Sequence, residues 1–146
     1  MKKVALFATI IFAFSVTFAN AFTNPGKPQG FVNDFANIIS NEDKVQIESQ
    51  LKSLNDQNTI QVAVVTINSL EYETIESYAV KLFEQWGIGN SKKDNGVLFL
   101  IAPNERKIRI EVGYGLEGVL TDAQANGIIQ KIVLPKFKAG STRSEE

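Results

Sequence analysis

The sequence predicts an α/β fold, a three-layer α/β/α sandwich around a small mixed β-sheet, on three observations. Residues 60–67 and 97–102 are nearly unbroken apolar runs, as strands buried on both faces are. Residues 107–112 alternate, with Ile108, Ile110 and Val112 on one side and Lys107, Arg109 and Glu111 on the other, so they form a half-exposed strand. Helical spacing separates these runs: Ile75, Tyr78, Ala79, Leu82, Phe83 and Trp86 recur on one face.

Each element has its own signal. Lys2 and Lys3 precede an apolar run that ends in Ala19-Asn20-Ala21, the small-x-small pattern of a signal peptide over residues 1–21. The alternative, an uncleaved anchor helix, is disfavoured because the run is shorter than the ~20 residues a span prefers. The mature chain, residues 22–146, then starts near Phe22, and no later segment is apolar enough to cross a bilayer. The expected location is therefore exported, periplasmic or extracellular. Residues 22–30 carry two prolines and read as an extended lead-in. Residues 31–36 read as a short strand or an anchored loop.

Ser40 opens the first helix with a capping-box form. Val45, Ile47, Leu51 and Leu54 form its inward stripe, and Lys44, Glu48 and Lys52 lie opposite. Residues 60–67 are placed centrally in the sheet. The second helix stops at Gly87, the usual left-handed position. Residues 87–96 are a glycine-containing loop without hydrophobic pattern, and Pro103-Asn104-Glu105-Arg106 is the turn of a hairpin. Thr121 to Gln124 opens a third helix with another capping box. Ala125, Ile128, Ile129 and Ile132 form its inward stripe, and Pro135 limits it. A strand-helix-strand passage makes the first two long strands parallel, and the hairpin adds an antiparallel one.

Composition removes several chemistries. The 146 residues contain no cysteine and no histidine, so thiolate nucleophiles, His-based triads and soft-ligand zinc sites are excluded. Without the leader the charge is 13 basic against 16 acidic residues, net −3, which disfavours nucleic acid as a partner. Oxygen donors remain, and these suit calcium or magnesium. Gly113-Tyr114-Gly115-Leu116-Glu117-Gly118 has the spacing of a dinucleotide fingerprint. However, the next helix starts only after Thr121, and no second strand ending in an acid follows, so no nucleotide is expected. The reading instead is a tight, partly left-handed loop under the sheet end. Trp86 and Tyr114 are read as packing residues, and Lys92-Lys93 as a solvated loop tip. Asp94-Asn95-Gly96 resembles a fragment of a calcium loop, with an Asx-Gly turn as the alternative. Asp34, Asp94 and Asp122 all sit in loops or at element starts, and Glu111 and Glu117 flank the glycine turn. Beyond the strand ends of an α/β sheet such residues gather, whereas capping and turn roles explain them without a ligand.

Taken together, Trp86-Gly87-Ile88-Gly89, Asp94 to Leu98, Arg109 to Gly118, Leu120-Thr121-Asp122 and Pro135 resemble the TPM domain family. Residues 31–36 match its opening motif. That family includes thylakoid-lumen photosystem-repair proteins and bacterial exported or membrane-tethered proteins. The resemblance implies an α/β/α sandwich, divalent-cation binding at acidic loops and an acid-phosphatase activity proposed for plant members. Carried residue by residue, it nominates Asp34, Asp94, Asn95 and Asp122 as metal ligands, with Glu111 and Glu117 beside them. Asp94 and Asp122 would be the catalytic residues of a phosphatase. Family domains usually continue past the proline segment into a further helix, whereas this sequence runs polar to Glu146, as a truncated or a compact free-standing form would.

The leading expectation is an exported, calcium-binding accessory domain that serves an envelope or membrane protein complex. The rivals are a metal-assisted phosphatase, with Arg109 as its nearest candidate clamp, and a protein-binding module that uses the glycine loop and hairpin edge.

Overall fold

The computed structural model describes residues 22–136; the leader expected at residues 1–21 and the polar end from residue 137 lie outside the described residues. Four strands form one sheet in the order β1-β2-β3-β4: β1 Val32–Asp34, β2 Gln61–Thr66, β3 Gly96–Ala102 and β4 Lys107–Val112. β1 to β3 run parallel, and β4 returns antiparallel from the hairpin turn, so the sheet is mixed. As expected, β2 and β3 are central, which is why their sequences are apolar on both faces.

Alternation along the strands sorts the core into two layers. Ala63, Val65 and Ile67 of the β2 segment join Leu98, Leu100 and Ala102 of β3 under helix α2, Ile75–Trp86, whose inward residues are Ile75, Tyr78, Ala79 and Leu82. Val97 and Ile110 point the other way, to Ala125 of helix α3, Asp122–Ile128, and to Ile129 beyond it. A helix therefore covers each face, and the three-layer expectation holds. Helix α1, Asn41–Asn58, runs beside β1 and β2 and buries no residue fully.

The caps read from sequence form. Ser40 accepts from the Asp43 amide, and Gly87 ends α2 at φ 60°. Thr121 and Gln124 make both halves of a capping box.

Two helix expectations need correction. On α1, Ile47, Leu51 and Leu54 are half-buried, but Val45 is exposed and Glu48 points inward. The Glu48 carboxylate accepts from the amides of Phe31 (2.9 Å) and Val32 (2.7 Å), two donors at the start of edge strand β1 that no neighbouring strand reaches. Packing periodicity cannot see such a bond, because it turns a charged residue towards the sheet. Pro135 likewise does not stop the last helix. Residues 129–133 adopt a π-helical turn, and the helix continues through residue 136. The wider π turn tolerates a proline that has no N–H to give, and it rotates Ile132 out to solvent.

At the far end of β1, Asp34 is a structural hub. Its side chain is 1% exposed. One oxygen accepts from the Thr66 hydroxyl (2.5 Å) and the Ile38 amide (3.1 Å), and the other from the Ile39 amide (3.0 Å). Thr66 in turn accepts from the Ala36 amide at 3.0 Å. The loop between β1 and α1 is thus folded around one carboxylate. Burial by itself would push the Asp34 carboxyl up. The Thr66 hydroxyl, the Ile39 and Ile38 amides and the charge of Lys44 outweigh that and hold it below the ordinary aspartate value.

Asp34→Ala should destabilise the chain by about 2–4 kcal/mol in urea unfolding, since it strands a hydroxyl and two amides. Because the folded carboxyl is depressed, its contribution is present above the unfolded aspartate pKa of about 3.9 and is lost as pH falls through the lower folded value. Acid titration of stability should therefore show a loss below about pH 4 that is smaller in Asp34→Asn. Glu48→Ala should cost about 1–3 kcal/mol by leaving the Phe31 and Val32 amides unpaired.

Candidate functional site

The glycine segment after β4 lies against the loop before β3. The Gly113 amide donates to the Gly96 carbonyl (2.8 Å), and the Gly115 amide donates to the Asp94 carbonyl (3.0 Å). A Cβ on Gly113 would collide with the Asp94 carbonyl oxygen, and one on Gly115 with the Lys93 carbonyl oxygen. Neither glycine has a positive φ. The expectation of a partly left-handed loop is therefore corrected: glycine is required here for close backbone approach, not for handedness. A short 3-10 turn, Tyr114–Leu116, follows, and α3 begins only at Asp122.

The opposing loop is pinned from inside by Asn95, which is buried. Its side-chain oxygen accepts from the Asn90 amide (2.9 Å), and its amide nitrogen donates to the Thr59 carbonyl (2.6 Å). Its own carbonyl accepts from the Gln61 amide (3.1 Å), and the Gln61 side chain accepts from the Gly89 amide (2.6 Å). Asp94, at φ 45°, is held in a left-handed conformation by its amide bond to the Asn90 carbonyl (2.7 Å) and by Gly115. A non-glycine residue kept there by its surroundings is a mark of functional rims, although turns use it too. Asn90, Thr59 and Gln61 escape a motif search because they match no chemistry-bearing pattern; their work is backbone satisfaction.

The nominated residues divide between two ends of the sheet. Asp94, Asn95, Glu111, Glu117 and Asp122 belong to the rim where β3 starts and β4 ends. Asp34 is in register with Thr66, and Thr66 with Ile101. Asp34 thus lies at least about 16 Å along the sheet from Gly96 and the rim. Its oxygens are occupied by Thr66, Ile38 and Ile39. Asn95 is likewise occupied by Thr59 and Asn90.

Glu111 is paired: Arg109 Nε (3.1 Å) and Nη2 (2.9 Å) both donate to Glu111 Oε2. Asp122 lies 3.9 Å from the same guanidinium, with a side chain 87% exposed, so that contact contributes little. Asp94 and Glu117 are exposed and form no side-chain hydrogen bond among the described residues. The donors are of the hard oxygen type that calcium takes. Yet no group of three or more acidic side chains converges as metal ligands among the described residues, so the six do not form one preassembled ligand set.

The aromatic expectations also divide. Trp86 packs edge-on to Phe35, centroids 6.2 Å apart, and donates to the Gly26 carbonyl (3.1 Å). Tyr114, expected to pack, is instead 80% exposed, and Val119 is 73% exposed. The glycine segment thus acts as a strap: the Gly113 and Gly115 bonds pin the backbone on both sides of Tyr114, and the Val119 amide donates to the Leu116 carbonyl (2.9 Å).

The chain matches the family model of the TPM domain over residues 32–144. Among solved structures it is similar to the N-terminal domain of a protein from P. gingivalis, at 32% identity and a TM-score of 0.73, over 82% of this chain and 82% of that one. It is also similar in fold to the N-terminal domain of the cg2496 protein from Corynebacterium glutamicum, at 23% identity and a TM-score of 0.58, over 88% of this chain and 77% of that one. No curated protein matches it. With the sandwich, the glycine strap and these matches in agreement, the chain belongs to the TPM domain family.

Proposed function

We propose that this chain is an exported accessory domain that docks on an envelope protein through the glycine rim. The observation that carries the reading is the exposure of Tyr114 and Val119 on a loop whose backbone cannot rearrange. An aromatic on a preorganised loop loses little freedom on binding and offers a large contact area. Asp94, Glu117 and Asp122 add exposed carboxylates to the same rim, so the complementary partner surface is an apolar pocket with basic residues at its edge. A photo-crosslinking residue in place of Tyr114 should capture one envelope protein, and unlabelled domain should compete it away. The same probe at Tyr72, which is exposed on the loop after β2, serves as control. Equal adducts from both positions would defeat the proposal.

A second reading is calcium binding at the same rim. Its support is the left-handed conformation of Asp94, whose exposed carboxylate forms no hydrogen bond among the described residues and whose carbonyl accepts from the Gly115 amide, two residues before Glu117. Like charges gathered there would be relieved by a divalent ion. Calcium titration followed by NMR should move the amides of residues 93–95 and 113–118 and leave Ile38 and Ile39, at the Asp34 end, unmoved. Silence at millimolar calcium would sink this reading.

The phosphatase activity implied by the family has weaker support, because Arg109, the guanidinium at the rim among the described residues, is bonded to Glu111. Phosphoester turnover that survives in both Asp94→Ala and Asp122→Ala would dismiss it.

A further inference from the structure

The first described residues are held unusually firmly. The Phe22 ring packs edge-on against Tyr78, centroids 4.8 Å apart, and Lys81 Nζ lies 6.0 Å from its ring centroid. The Tyr78 hydroxyl donates to the Thr23 carbonyl (2.8 Å), and the Thr23 hydroxyl donates to Glu71 Oε2 (3.3 Å). Residues 22 and 23 are therefore fixed against α2 and the loop that precedes it.

That end of the sheet carries excess negative charge. Glu73 Oε2 accepts from the Ser77 hydroxyl (2.9 Å) and from Lys81 Nζ (2.8 Å). Glu105, in the hairpin turn, accepts from the Leu70 amide through Oε1 (2.9 Å). Glu71, Glu73 and Glu105 thus surround the Leu70–Glu73 turn, and Lys81 is the cation bonded among them. The Glu73 side chain is only 10% exposed, yet its Oε1 is buried without a hydrogen-bond partner among the described residues. Glu105 Oε2 is in the same condition. Tyr78 feels this field: burial first, then Glu71 and Glu73, push its hydroxyl up to about 12. A buried carboxylate oxygen without a donor asks for one.

We infer that the α-ammonium created when the leader is removed before Phe22 is received by this carboxylate cluster, with Glu73 Oε1 as its acceptor and Glu71 beside it. The inference rests on the export reading. Hydrolysis of the Ala21–Phe22 peptide by a signal peptidase consumes one water. It leaves a carboxylate on Ala21 and an ammonium on Phe22. The residue-22 nitrogen thereby changes from a neutral amide with one N–H into a cation with three donors, which is what the unpaired oxygen and the surplus charge call for. Glu73 keeps Lys81 on one oxygen and gains the chain terminus on the other. Processing becomes a folding signal: the mature form is more stable than its precursor.

The test compares residues 22–146 bearing a free Phe22 amine with the same chain acetylated at that amine, and with a chain extended by Asn20-Ala21. The free-amine form should melt about 3–6 °C above the other two near pH 6. The titratable groups that the inference sets around the amine are Glu71, Glu73, Glu105, Lys81 and Tyr78, and an ammonium received by such carboxylates should titrate above the ordinary value of about 8. A raised folded pKa gives stability that is present below the unfolded value and lost as pH rises through the folded one, so the melting gap should close in alkaline solution. Glu73→Gln should abolish the gap. Identical melting of free and acetylated chains, or an α-amine that titrates at its ordinary value by NMR, would overturn the inference. Mass analysis of exported protein tests the export reading separately. A start at Phe22 supports it. A start elsewhere removes the amine from the site in the exported form, whatever the recombinant chains do.

Discussion

The glycine rim depends on backbone lying against backbone. Gly113 and Gly115 press on the peptide units of Lys93 to Gly96 with no side chain between them, and two amide-carbonyl bonds lock the contact. Everything at the rim follows from this. Asp94 is forced left-handed, Asn95 must turn inward to satisfy the loop, and Tyr114 has nowhere to go but solvent. One added methyl at Gly115 would separate the two loops and release all three. A spacing that elsewhere cradles a pyrophosphate here cradles another stretch of the same chain.

Carboxylates serve opposite purposes at different places in the sheet. Asp34 and Glu48 are internal acceptors that organise backbone amides neighbouring strands do not reach. Their charge is compensated by N–H donors, so they are unavailable to a ligand. Asp94, Glu117 and Asp122 carry the same chemistry without such donors, and they are exposed. The difference is local supply of hydrogen-bond donors rather than residue type, and it decides which acids hold the fold and which face solvent.

That distinction also explains what could be read in advance. Strands β2, β3 and β4, helix α2 and its glycine stop were legible because burial imposes a period on apolar residues and caps use few residue types. The family motif located the rim, and Asp94, Glu111, Glu117 and Asp122 do belong to it. Asp34 was grouped with them because both its position after a strand and its type fitted. Which end of the strand it occupied depended on strand direction and pairing register, quantities a motif does not carry. Asn95 is ambiguous in sequence for a related reason: Asx turns and calcium loops ask for the same residues. The role of Glu48 and the passage through Pro135 were out of reach, since each depends on a partner distant in sequence or on a helical register shift.

The two ends of the sheet then divide the labour. The chain start is fastened by Tyr78 and Glu71 near the carboxyl ends of β2 and β3, while the rim sits at the amino end of β3. β3 alone has seven residues, so roughly 20 Å of sheet separates them. Phe22 and Thr23 are therefore held at the end of the sheet opposite Tyr114 and the rim carboxylates. The sheet is the spacer that keeps the contacts of Phe22 and Thr23 apart from the backbone contacts that shape the rim.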